Sequence, residues 1–347
     1  MNDGTAPPRS MRAAVITRPG GPETIELRER PTPIPDAHEV LVRVHASAMN
    51  RADVLQRMGR YPPPAGAPAD IPGLELAGTV VARGPGALRW PIGTRVFGLV
   101  AGGAHADYVA AHEDTLAAMP GALTWSAGGA IPEAFITASD ALEQAGTQAG
   151  EIVLVHAVAS GVGLAAVQLA CARGATPLGT SRSAAKLDRA LALGLAAGFD
   201  ASQGLEALVP WVLARSSGHG VDVTLDLVGG SYLRPTIDAM AMRGRIVLIG
   251  SLAGREATIP IGVVLHKRLT IRGTVLRSRA LDERKRDAAA FAREVVPLLA
   301  RGAVHAVIDR SFPLEQIADA HALVETNTTV GKVVITMTDE PDETQTT

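Results

Sequence analysis

A glycine-rich turn is the feature of this sequence whose residue types and spacing point most directly to chemistry. Gly161, Gly163 and Ala166 follow the pattern G-x-G-x-x-A, a dinucleotide-binding fingerprint with alanine at its third position. The first glycine permits a tight turn, the second lets a pyrophosphate approach the backbone, and the third small residue lets helix and strand pack closely. The turn, with Val162 inside it, therefore predicts a phosphate-binding site at the start of a helix.

The elements that must position this turn are visible on both sides of it. Ile152–Val155 is an unbroken apolar run, typical of a strand that is buried on both faces of a parallel sheet. An apolar helical segment follows the turn and extends to Arg173. Glycine-rich turns of this kind also occur for packing alone, but the strand and helix around this one favour cofactor binding.

The end of the next predicted strand, Thr176–Thr180, indicates which dinucleotide is bound. A site that prefers NAD usually carries Asp or Glu about 20 residues beyond the fingerprint, where it binds the ribose. Here Ser181 and Arg182 follow the strand, Lys186 lies one helical turn further, and no carboxylate occurs before Asp188. Two cations and a hydroxyl can bind a 2′-phosphate, so we predict NADPH rather than NADH. The alternative is that both cations are solvated residues at a helix start.

The chain of 347 residues divides into two patterns, as its length suggests. Short strands separated by Pro and Gly predict a partly closed β-barrel-like domain first. Strands alternating with helices then predict a doubly wound, parallel Rossmann sheet, after which the chain returns to the first domain. The predicted bounds are 11–130 with 274–337 for the first domain, 131–273 for the second, and 1–10 and 338–347 for two disordered tails. After the second domain we predict a helix over 281–300, a strand over 304–310, a helix over 314–325 and a strand over 332–337.

Composition excludes several classes of function. The net charge of −2 gives no electrostatic footprint for nucleic acid or for an anionic membrane. Aromatic residues, at 3%, are too few for a base-stacking surface. No apolar stretch is long enough to span a bilayer, and residues 1–10 have no apolar core typical of a signal peptide. We therefore expect a cytoplasmic protein with no nucleic-acid or membrane partner.

The number and spacing of the cysteine and histidine residues are not typical of a metal site. Cys171 is the only cysteine, which excludes an internal disulfide and a multi-cysteine zinc site. It lies in the apolar helix after the fingerprint, so we expect it to be buried. The nine histidines are scattered, and His156, in the fingerprint strand, is expected to be a hydrogen-bonded core residue.

Several blocks of sequence occur together in one order. They are Asn50-Arg51-Ala52-Asp53, Gly73-Leu74-Glu75-Leu76-Ala77-Gly78, Ile131-Pro132-Glu133-Ala134, the fingerprint, Asp226-Leu227-Val228-Gly229-Gly230 and Leu276-Arg277-Ser278-Arg279. With these blocks the chain resembles the zinc-independent quinone oxidoreductase branch of the medium-chain dehydrogenase/reductase superfamily, from Met11 to Met337. Within that branch it is most similar to the NADPH quinone reductases of the type induced by a tumour suppressor.

The resemblance implies a fold class and an activity. A GroES-like, β-barrel-type catalytic domain made of both chain ends is expected around a central Rossmann domain, with NADPH between them. Hydride would pass from the nicotinamide to a small-molecule quinone or enone. Members of the branch commonly form homodimers through the edges of their Rossmann sheets, and we expect that edge within residues 259–274.

The resemblance also implies a site without metal. In the pattern of the zinc-dependent alcohol dehydrogenases of the same superfamily, a cysteine stands at the position of Asn50 and a histidine at that of Leu74. This chain offers neither ligand, so we expect no catalytic zinc site. Asp53 and Glu75 are then expected to hold the local geometry rather than to perform acid–base work.

By resemblance, the site combines residues from both domains. Asn50 is expected near the nicotinamide and its ribose, Thr137 under the nicotinamide, and Tyr61 at the mouth of the cleft. Tyr61 could donate a hydrogen bond or a proton to a quinone oxygen, its ring could stack on the quinone, or it could be a loop anchor packed against prolines. The remaining contacts are expected from Ala159 and Ser160 at the pyrophosphate, and from Gly250, Leu276, Arg277 and Ser278 at the nicotinamide.

Two other functions stay open. The same fold and hydride geometry serve NADPH-dependent enoyl or enone reductases, which reduce a conjugated C=C bond. The chain could instead bind the cofactor without turnover, although the paired glycines, Asn50 and Tyr61 argue for retained catalysis.

Relatives often place a tyrosine near the 2′-phosphate, two or three residues after a Gly-Phe pair. No tyrosine follows Gly198-Phe199 here, which predicts a weaker NADPH preference.

Overall fold

The computed structural model describes residues 6–337, so residues 1–5 and 338–347 of the two predicted tails lie outside the described part. The strands are β1 Ser10–Ile16, β2 Ile25–Pro31, β3 Glu39–Ala48, β4 Glu75–Arg83, β5 Arg95–Leu99, β6 Tyr108–His112, β7 Leu116–Ala118, β8 Ile152–Val155, β9 Thr176–Ser181, β10 Ala197–Asp200, β11 Val221–Asp226, β12 Met240–Leu248, β13 Thr270–Gly273, β14 Ile308–Pro313 and β15 Lys332–Thr336. The α-helices are α1 Arg51–Arg57, α2 Trp125–Gly129, α3 Pro132–Gln144, α4 Gly161–Ala172, α5 Ala184–Leu191, α6 Leu208–Arg215, α7 Leu233–Ala239, α8 Ile261–Lys267, α9 Leu281–Glu294, α10 Val296–Ala300 and α11 Ile317–Glu325. β1 begins at Ser10, inside the segment 1–10 that we predicted to be disordered.

The chain forms two compact units. Residues 137–275 form the second unit, and the described residues before and after them, 6–136 and 276–337, form the first unit. The change of sequence pattern suggested bounds of 131–273 for the second domain. The division instead falls inside α3, because this helix begins in the first unit and ends in the second.

A parallel sheet forms the centre of the second unit. Its strand order is β10-β9-β8-β11-β12-β13, and every neighbouring pair is parallel. Val153, Leu154 and Val155 of β8 are fully buried, as their unbroken apolar run predicted. The chain order reverses between β8 and β11, and such a switch point leaves a crevice at the carboxyl ends of the strands. The predicted Rossmann sheet is confirmed.

Antiparallel pairing organises most of the first unit. Its seven-stranded sheet has the order β14-β15-β3-β4-β5-β7, β6 also pairs with β3, and β1 and β2 form a separate ribbon. β15, from the end of the chain, pairs antiparallel with β3, so that Val334 lies opposite Ala48. This pairing brings the start of β15 next to the residues that follow β3. It thereby brings Lys332 into contact with Asn50 and Glu75.

Two elements near the end of the chain differ from prediction. The predicted helix 281–300 is divided into α9 and α10 at Val295, because Pro297 has no N–H to donate to the carbonyl four residues earlier. The predicted strand 304–310 is displaced, since β14 begins at Ile308. Val304 and Val307 are buried outside the ladder. Their apolar character therefore reflects burial rather than strand pairing.

The remaining end elements differ less. The predicted helix 314–325 starts as a 3-10 turn, Leu314–Gln316, and becomes α-helical at Ile317. The predicted strand 332–337 is β15 without its last residue.

Cys171 is exposed, so the prediction that it would be buried is wrong. α4 buries the continuous run 163–170, whereas Cys171 lies in its last turn, beyond that run. The Sγ of Cys171 donates a hydrogen bond to the carbonyl of Gly194 at 3.4 Å. The apolar run therefore continues past the buried part of the helix.

β13 lies at one edge of the parallel sheet. The preceding helix α8 exposes Ile261 and Leu265, by 65% and 72%. The homodimer predicted through this edge stays a prediction.

No helix in the range 6–337 is long and apolar enough to cross a membrane.

Candidate active site

The fingerprint forms the start of α4 in the second unit. Ser160 is the N-cap of this helix, and its Oγ accepts a hydrogen bond from the N–H of Gly163 at 3.1 Å. The first N–H groups of a helix have no partner within it. Those of Gly161 and Val162 can therefore bind a phosphate at this helix terminus. Ala159, directly before the cap, is buried.

Gly163 is required by the backbone of the protein itself. A Cβ at this position would lie 2.5 Å from the carbonyl oxygen of Val158 and 2.7 Å from that of Ala157. Ala157 has a φ of 48°, in the left-handed region that is uncommon for alanine. The second glycine of the pattern thus lets the turn pack on α4. This requirement is additional to the approach of a pyrophosphate that the pattern predicted.

The end of β9, the strand beside β8, carries the residues predicted to bind a 2′-phosphate. The Oγ of Ser181 accepts a hydrogen bond from the N–H of Ser183 at 3.2 Å, which leaves the hydroxyl hydrogen free to be donated. Arg182 is exposed, and Lys186 is half-buried in the first turn of α5. These three residues therefore lie together at the carboxyl edge of the sheet.

Two neighbours of this cluster were not found from the sequence. Asp200 ends β10 in register with Ser181, and its carboxylate accepts the N–H of Ser202 at 2.9 Å. Tyr232 lies near Arg182. Burial raises the pKa of the Tyr232 phenol, and the charge of Arg182 opposes this shift. A tyrosine thus approaches the cluster from a segment after β11, although none follows Gly198-Phe199.

His156 lies directly behind the nucleotide turn as a core residue. Its side chain is fully buried, and its ring nitrogens are 3.0 Å from Oγ1 of Thr180 and 2.8 Å from Oγ1 of Thr236. Burial lowers the pKa of this imidazole, so it is neutral at physiological pH. The prediction of a hydrogen-bonded core histidine is confirmed.

The residues predicted to contact the nicotinamide are divided between the two units. Thr137 is buried at the start of the second unit. Gly250 follows β12, and its N–H donates to the carbonyl of Asp226 at 3.2 Å. The first unit contains Asn50, Tyr61, Leu276, Arg277 and Ser278. Their predicted contacts stay predictions.

A buried ion pair lies at the centre of the first unit. The Nζ of Lys332 is 2.7 Å from Oε1 of Glu75, and the two side chains are 7% and 0% exposed. The ammonium also donates to the carbonyl of Met49 at 3.0 Å and to Oδ1 of Asn50 at 2.5 Å. All three N–H groups of Lys332 therefore have an acceptor, which is what a buried charge requires.

The same ion pair fixes the side chain of Asn50. Its Nδ2 donates to Oε1 of Glu75 at 2.9 Å and to the carbonyl of Ala48 at 3.2 Å, while its Oδ1 accepts from Lys332. Both amide hydrogens thus have acceptors inside the protein. In this arrangement Asn50 has no N–H left to donate to a substrate oxygen.

Asp53 and Glu75 hold the local geometry, as predicted. Asp53 accepts the backbone N–H groups of Asn50 at 2.8 Å and Gly73 at 2.9 Å. The Oε2 of Glu75 accepts the backbone N–H of Glu133 at 2.8 Å, at the start of α3. The two carboxylates thereby join β4, α1 and α3. The sequence assigned no site role to Lys332 or to Glu133, because a lone lysine at a strand start and a glutamate at a helix start are ordinary surface signals.

Tyr61 and Arg277 meet on another side of this unit. The guanidinium carbon of Arg277 lies 5.3 Å from the centroid of the Tyr61 ring. Arg277 is held by two hydrogen bonds, from Nε to the carbonyl of Ala101 at 2.9 Å and from Nη2 to Oε1 of Gln56 at 2.6 Å. Tyr61 is half-buried, and burial raises the pKa of its phenol, which is therefore protonated at physiological pH.

A pocket of about 20 Å³ lies next to Arg277 in the first unit, which is room for about one water-sized group. Leu74, at the position of a zinc ligand in the zinc-dependent pattern, forms part of its wall. The polar side chains that line it are Thr115, Glu133, Arg277, Arg284 and Asp287, and the other walls are apolar. The pocket can therefore receive a small polar group, such as one oxygen of a larger acceptor.

No group of three or more His, Cys, Asp or Glu side chains among residues 6–337 has an arrangement that could hold a metal ion. Asn50 and Leu74 stand at two positions where the zinc-dependent pattern needs ligands. The donor set of this site does not match a catalytic zinc centre.

The chain matches two described families. Residues 36–144 match the family described as alcohol dehydrogenase GroES-like domain, and residues 161–294 match the family described as zinc-binding dehydrogenase. Together the matches cover parts of both units, so the assignment does not depend on the fingerprint alone.

Individual relatives match over nearly their whole length. The chain is 32% identical over 332 residues to a quinone oxidoreductase of Lama guanicoe, covering 94% of this chain and 98% of that protein. It is 32% identical over 319 residues to a quinone oxidoreductase of Pseudomonas aeruginosa, covering 91% and 96%. A mycobacterial protein solved in complex with NADPH has a similar structure, with a TM-score of 0.84, 26% identity, and coverage of 94% of this chain and 99% of that one.

Proposed function

The chain belongs to the quinone oxidoreductase branch of the medium-chain dehydrogenase/reductase superfamily, and from this premise we propose that it is an NADPH-dependent, metal-independent quinone oxidoreductase. The observation that carries the proposal is the near-complete match to a quinone oxidoreductase, 94% of this chain and 98% of the relative. The nucleotide turn at the switch point of the parallel sheet supports it independently, because phosphate sites of Rossmann folds form there.

The residues of the second unit fit a dinucleotide. The free N–H groups of Gly161 and Val162 can bind its pyrophosphate, and Arg182 can pair with a 2′-phosphate. When bound, the dihydronicotinamide supplies the hydride that the acceptor takes up. The protein has to bind the acceptor, donate hydrogen bonds to its oxygen and provide a proton.

In the first unit, the pocket beside Arg277 is the place we propose for the acceptor oxygen. The Nη1 of Arg277 is buried without a hydrogen-bond partner in the described chain, while Nε and Nη2 hold the side chain in place. A positioned donor of this kind stabilises the negative charge that develops on the acceptor. The proposed site thus needs no metal ion. A stoichiometric zinc content in the purified protein would contradict this part of the proposal.

The function is tested by NADPH and NADH oxidation with a panel of quinones and enones. We expect turnover with quinones and a higher kcat/KM for NADPH than for NADH. Turnover restricted to enones would identify the chain as a C=C reductase instead. Tight NADPH binding without turnover of any acceptor would identify a cofactor-binding protein.

Replacing Arg182 with alanine tests the NADPH preference. A hydrogen bond to a charged group contributes about 1.5–3 kcal/mol, so kcat/KM for NADPH is expected to fall about 10- to 100-fold. The value for NADH should not change, because NADH lacks the 2′-phosphate. Arg189→Ala, at an exposed arginine of the following helix α5, is the control and should leave both values unchanged. An equal loss with both cofactors would show that Arg182 does not select NADPH.

Replacing Tyr61 with phenylalanine tests the phenol as a donor to the acceptor. A neutral hydrogen bond contributes about 0.5–1.5 kcal/mol, so kcat/KM for the quinone is expected to fall about 2- to 10-fold. The affinity for NADPH, measured by fluorescence titration, should stay the same. Tyr108→Phe, at a half-buried tyrosine of β6, is the matched control. Unchanged kcat and KM in Tyr61→Phe would leave only the ring, as a stacking surface or a loop anchor.

A further inference from the structure

Glu133 carries an unpaired carboxyl group beside the proposed acceptor site. Its backbone N–H is bound to Glu75, but its side chain makes no hydrogen bond or ion pair with any residue in the range 6–337. The side chain lines the same pocket as Arg277. A carboxyl group without a partner is unusual in a partly enclosed site, because an ionised carboxylate there loses its hydration.

No cation among residues 6–337 lies within ion-pair distance of the Glu133 carboxyl, although the guanidinium groups of Arg277 and Arg284 line the same pocket. Lys332 of β15 is fully used by Met49, Asn50 and Glu75. The other groups that face Glu133 or its pocket are Glu75 of β4, Asp53 of α1, Tyr61, Arg277 and, from α9, Arg284 and Asp287. Asp287 is paired with Arg279 at 2.7 Å. The nearby carboxylates therefore oppose a negative charge on Glu133.

These surroundings keep Glu133 protonated near neutral pH. Burial, and after it the negative charge of Glu75, raises the pKa of Glu133 to about 8, although Lys332 and Arg277 act in the opposite direction. The sign follows from the charged form being the disfavoured one. Below this pKa the side chain is a neutral acid that can donate a proton, and above it that proton is lost.

Arg277, which has an unsatisfied donor, lines the same pocket as this acid. Arg277 is 8% exposed, and its Nη1 has no partner in the described chain. Glu133 and Arg277 line one small pocket, whose other walls are apolar except for Thr115, Arg284 and Asp287. One oxygen atom of an acceptor fills the same space as a water molecule. In that position it would face a fixed cationic donor and a carboxylic acid.

We propose that Glu133 is the proton donor of this site and that Arg277 binds the acceptor oxygen which the proton reaches. The proposal rests on the proposed function. Reduction of a quinone to a hydroquinone consumes one hydride and one proton. With the hydride taken up, the O–H bond of Glu133 breaks, a new O–H bond forms on the negatively charged acceptor oxygen, and Glu133 is left as a carboxylate. A proton from solvent then restores the acid.

The test compares the wild-type chain with Glu133→Gln and Glu133→Asp. General acid catalysis contributes about 10²–10⁴-fold, so Glu133→Gln is expected to lose at least 100-fold in kcat with quinones while its Kd for NADPH is unchanged. Glu133→Asp should recover part of the loss, since it keeps an acid. In the wild type, kcat should fall tenfold per pH unit above about pH 8, and this limb should be absent in Glu133→Gln. Glu143→Gln, at an exposed glutamate of the same helix α3, is the matched control and should leave kcat unchanged.

A second measurement does not depend on turnover. In the wild type with ¹³C-labelled glutamate carboxyls, one carboxyl resonance is expected to titrate near pH 8, and it should be missing from Glu133→Gln. Wild-type kcat in Glu133→Gln, or a carboxyl of Glu133 that titrates like an exposed glutamate, would overturn the proposal. If the wild type reduces no quinone or enone, the proposed function fails and with it the proton-donor role, whereas the titration still reports whether Glu133 is held as an acid.

Discussion

Lys332→Met is expected to lower the free energy of unfolding by about 3–5 kcal/mol, which is the usual effect of removing one partner of a buried ion pair. The substitution leaves the fully buried carboxylate of Glu75 without its cation, 2.7 Å away in the wild type. Methionine fills much of the space of the lysine stem, so the effect reports mainly the lost charge. Urea unfolding followed by circular dichroism measures it.

Two further variants separate the charge from the packing. Glu75→Gln combined with Lys332→Met removes both charges and keeps an acceptor for the N–H of Glu133, so we expect it to recover part of the loss. Arg28→Met breaks the exposed pair between Arg28 and Glu26, whose side chains are both 47% exposed, and should change stability by less than about 1 kcal/mol. A loss below 1 kcal/mol in Lys332→Met would show that the buried pair does not stabilise this unit.

Gly163→Ala is expected to destabilise the protein by about 1–3 kcal/mol, as overpacking does in a tightly packed region. The new methyl group would meet the carbonyl oxygens of Val158 and Ala157 at 2.5 and 2.7 Å, and backbone atoms cannot rotate away. The turn has to move, and the N-terminus of α4 moves with it. We therefore also expect the Kd for NADPH to rise at least about tenfold, which corresponds to 1.4 kcal/mol.

Gly262→Ala is the matched control, with the opposite expected sign. Gly262 lies inside α8, and a Cβ there would meet no atom within 4 Å. Alanine should stabilise this helix by about 0.5–1 kcal/mol, because glycine loses more backbone entropy on folding. Thermal unfolding and NADPH titration of both variants measure the difference. Equal behaviour of the two variants would contradict the contact described for Gly163.

The two predictions concern one region that a local sequence pattern identifies and one that no local pattern identifies. Gly163 belongs to a local pattern, in which a strand, a turn and a helix follow each other within about twenty residues, as the motif describes. The pattern located the turn, but only the structure shows that Val158 and Ala157 forbid a side chain there. Lys332 belongs to no local pattern, and its partner Glu75 lies on a strand from the other end of the chain.

The elements near the end of the chain show the same limit. An apolar run indicates burial, and burial can occur with or without strand pairing, so Val304 and Val307 suggested a strand that begins too early. The helix over 281–300 was predicted from its amphipathic pattern. That pattern does not take into account that Pro297 has no N–H for a helical hydrogen bond. Cys171 was assigned to the core because α4 is apolar beyond its buried part.

The sequence by itself determined the class of this protein. Alternating strands and helices and the glycine pattern at 161–163 are signals carried by neighbouring residues, and they predicted a Rossmann sheet with a nucleotide turn. The blocks around Asn50 and Leu74 identified the family branch and argued against a zinc centre. These features need no knowledge of which distant segments meet.

Tertiary structure alone decided the hydrogen bonds and ion pair that join Asn50, Glu75 and Lys332. The antiparallel pairing of β15 with β3 brings Lys332 to Asn50 and Glu75, where its ammonium donates to the amide oxygen of Asn50. Both amide hydrogens of Asn50 are donated to Glu75 and to the carbonyl of Ala48. The start of α3 places Glu133 in the same small pocket as Arg277, without an ion-pair partner among residues 6–337. Hydrogen bonding, burial and pKa depend on which groups surround a side chain in space, and those groups come from segments hundreds of residues apart.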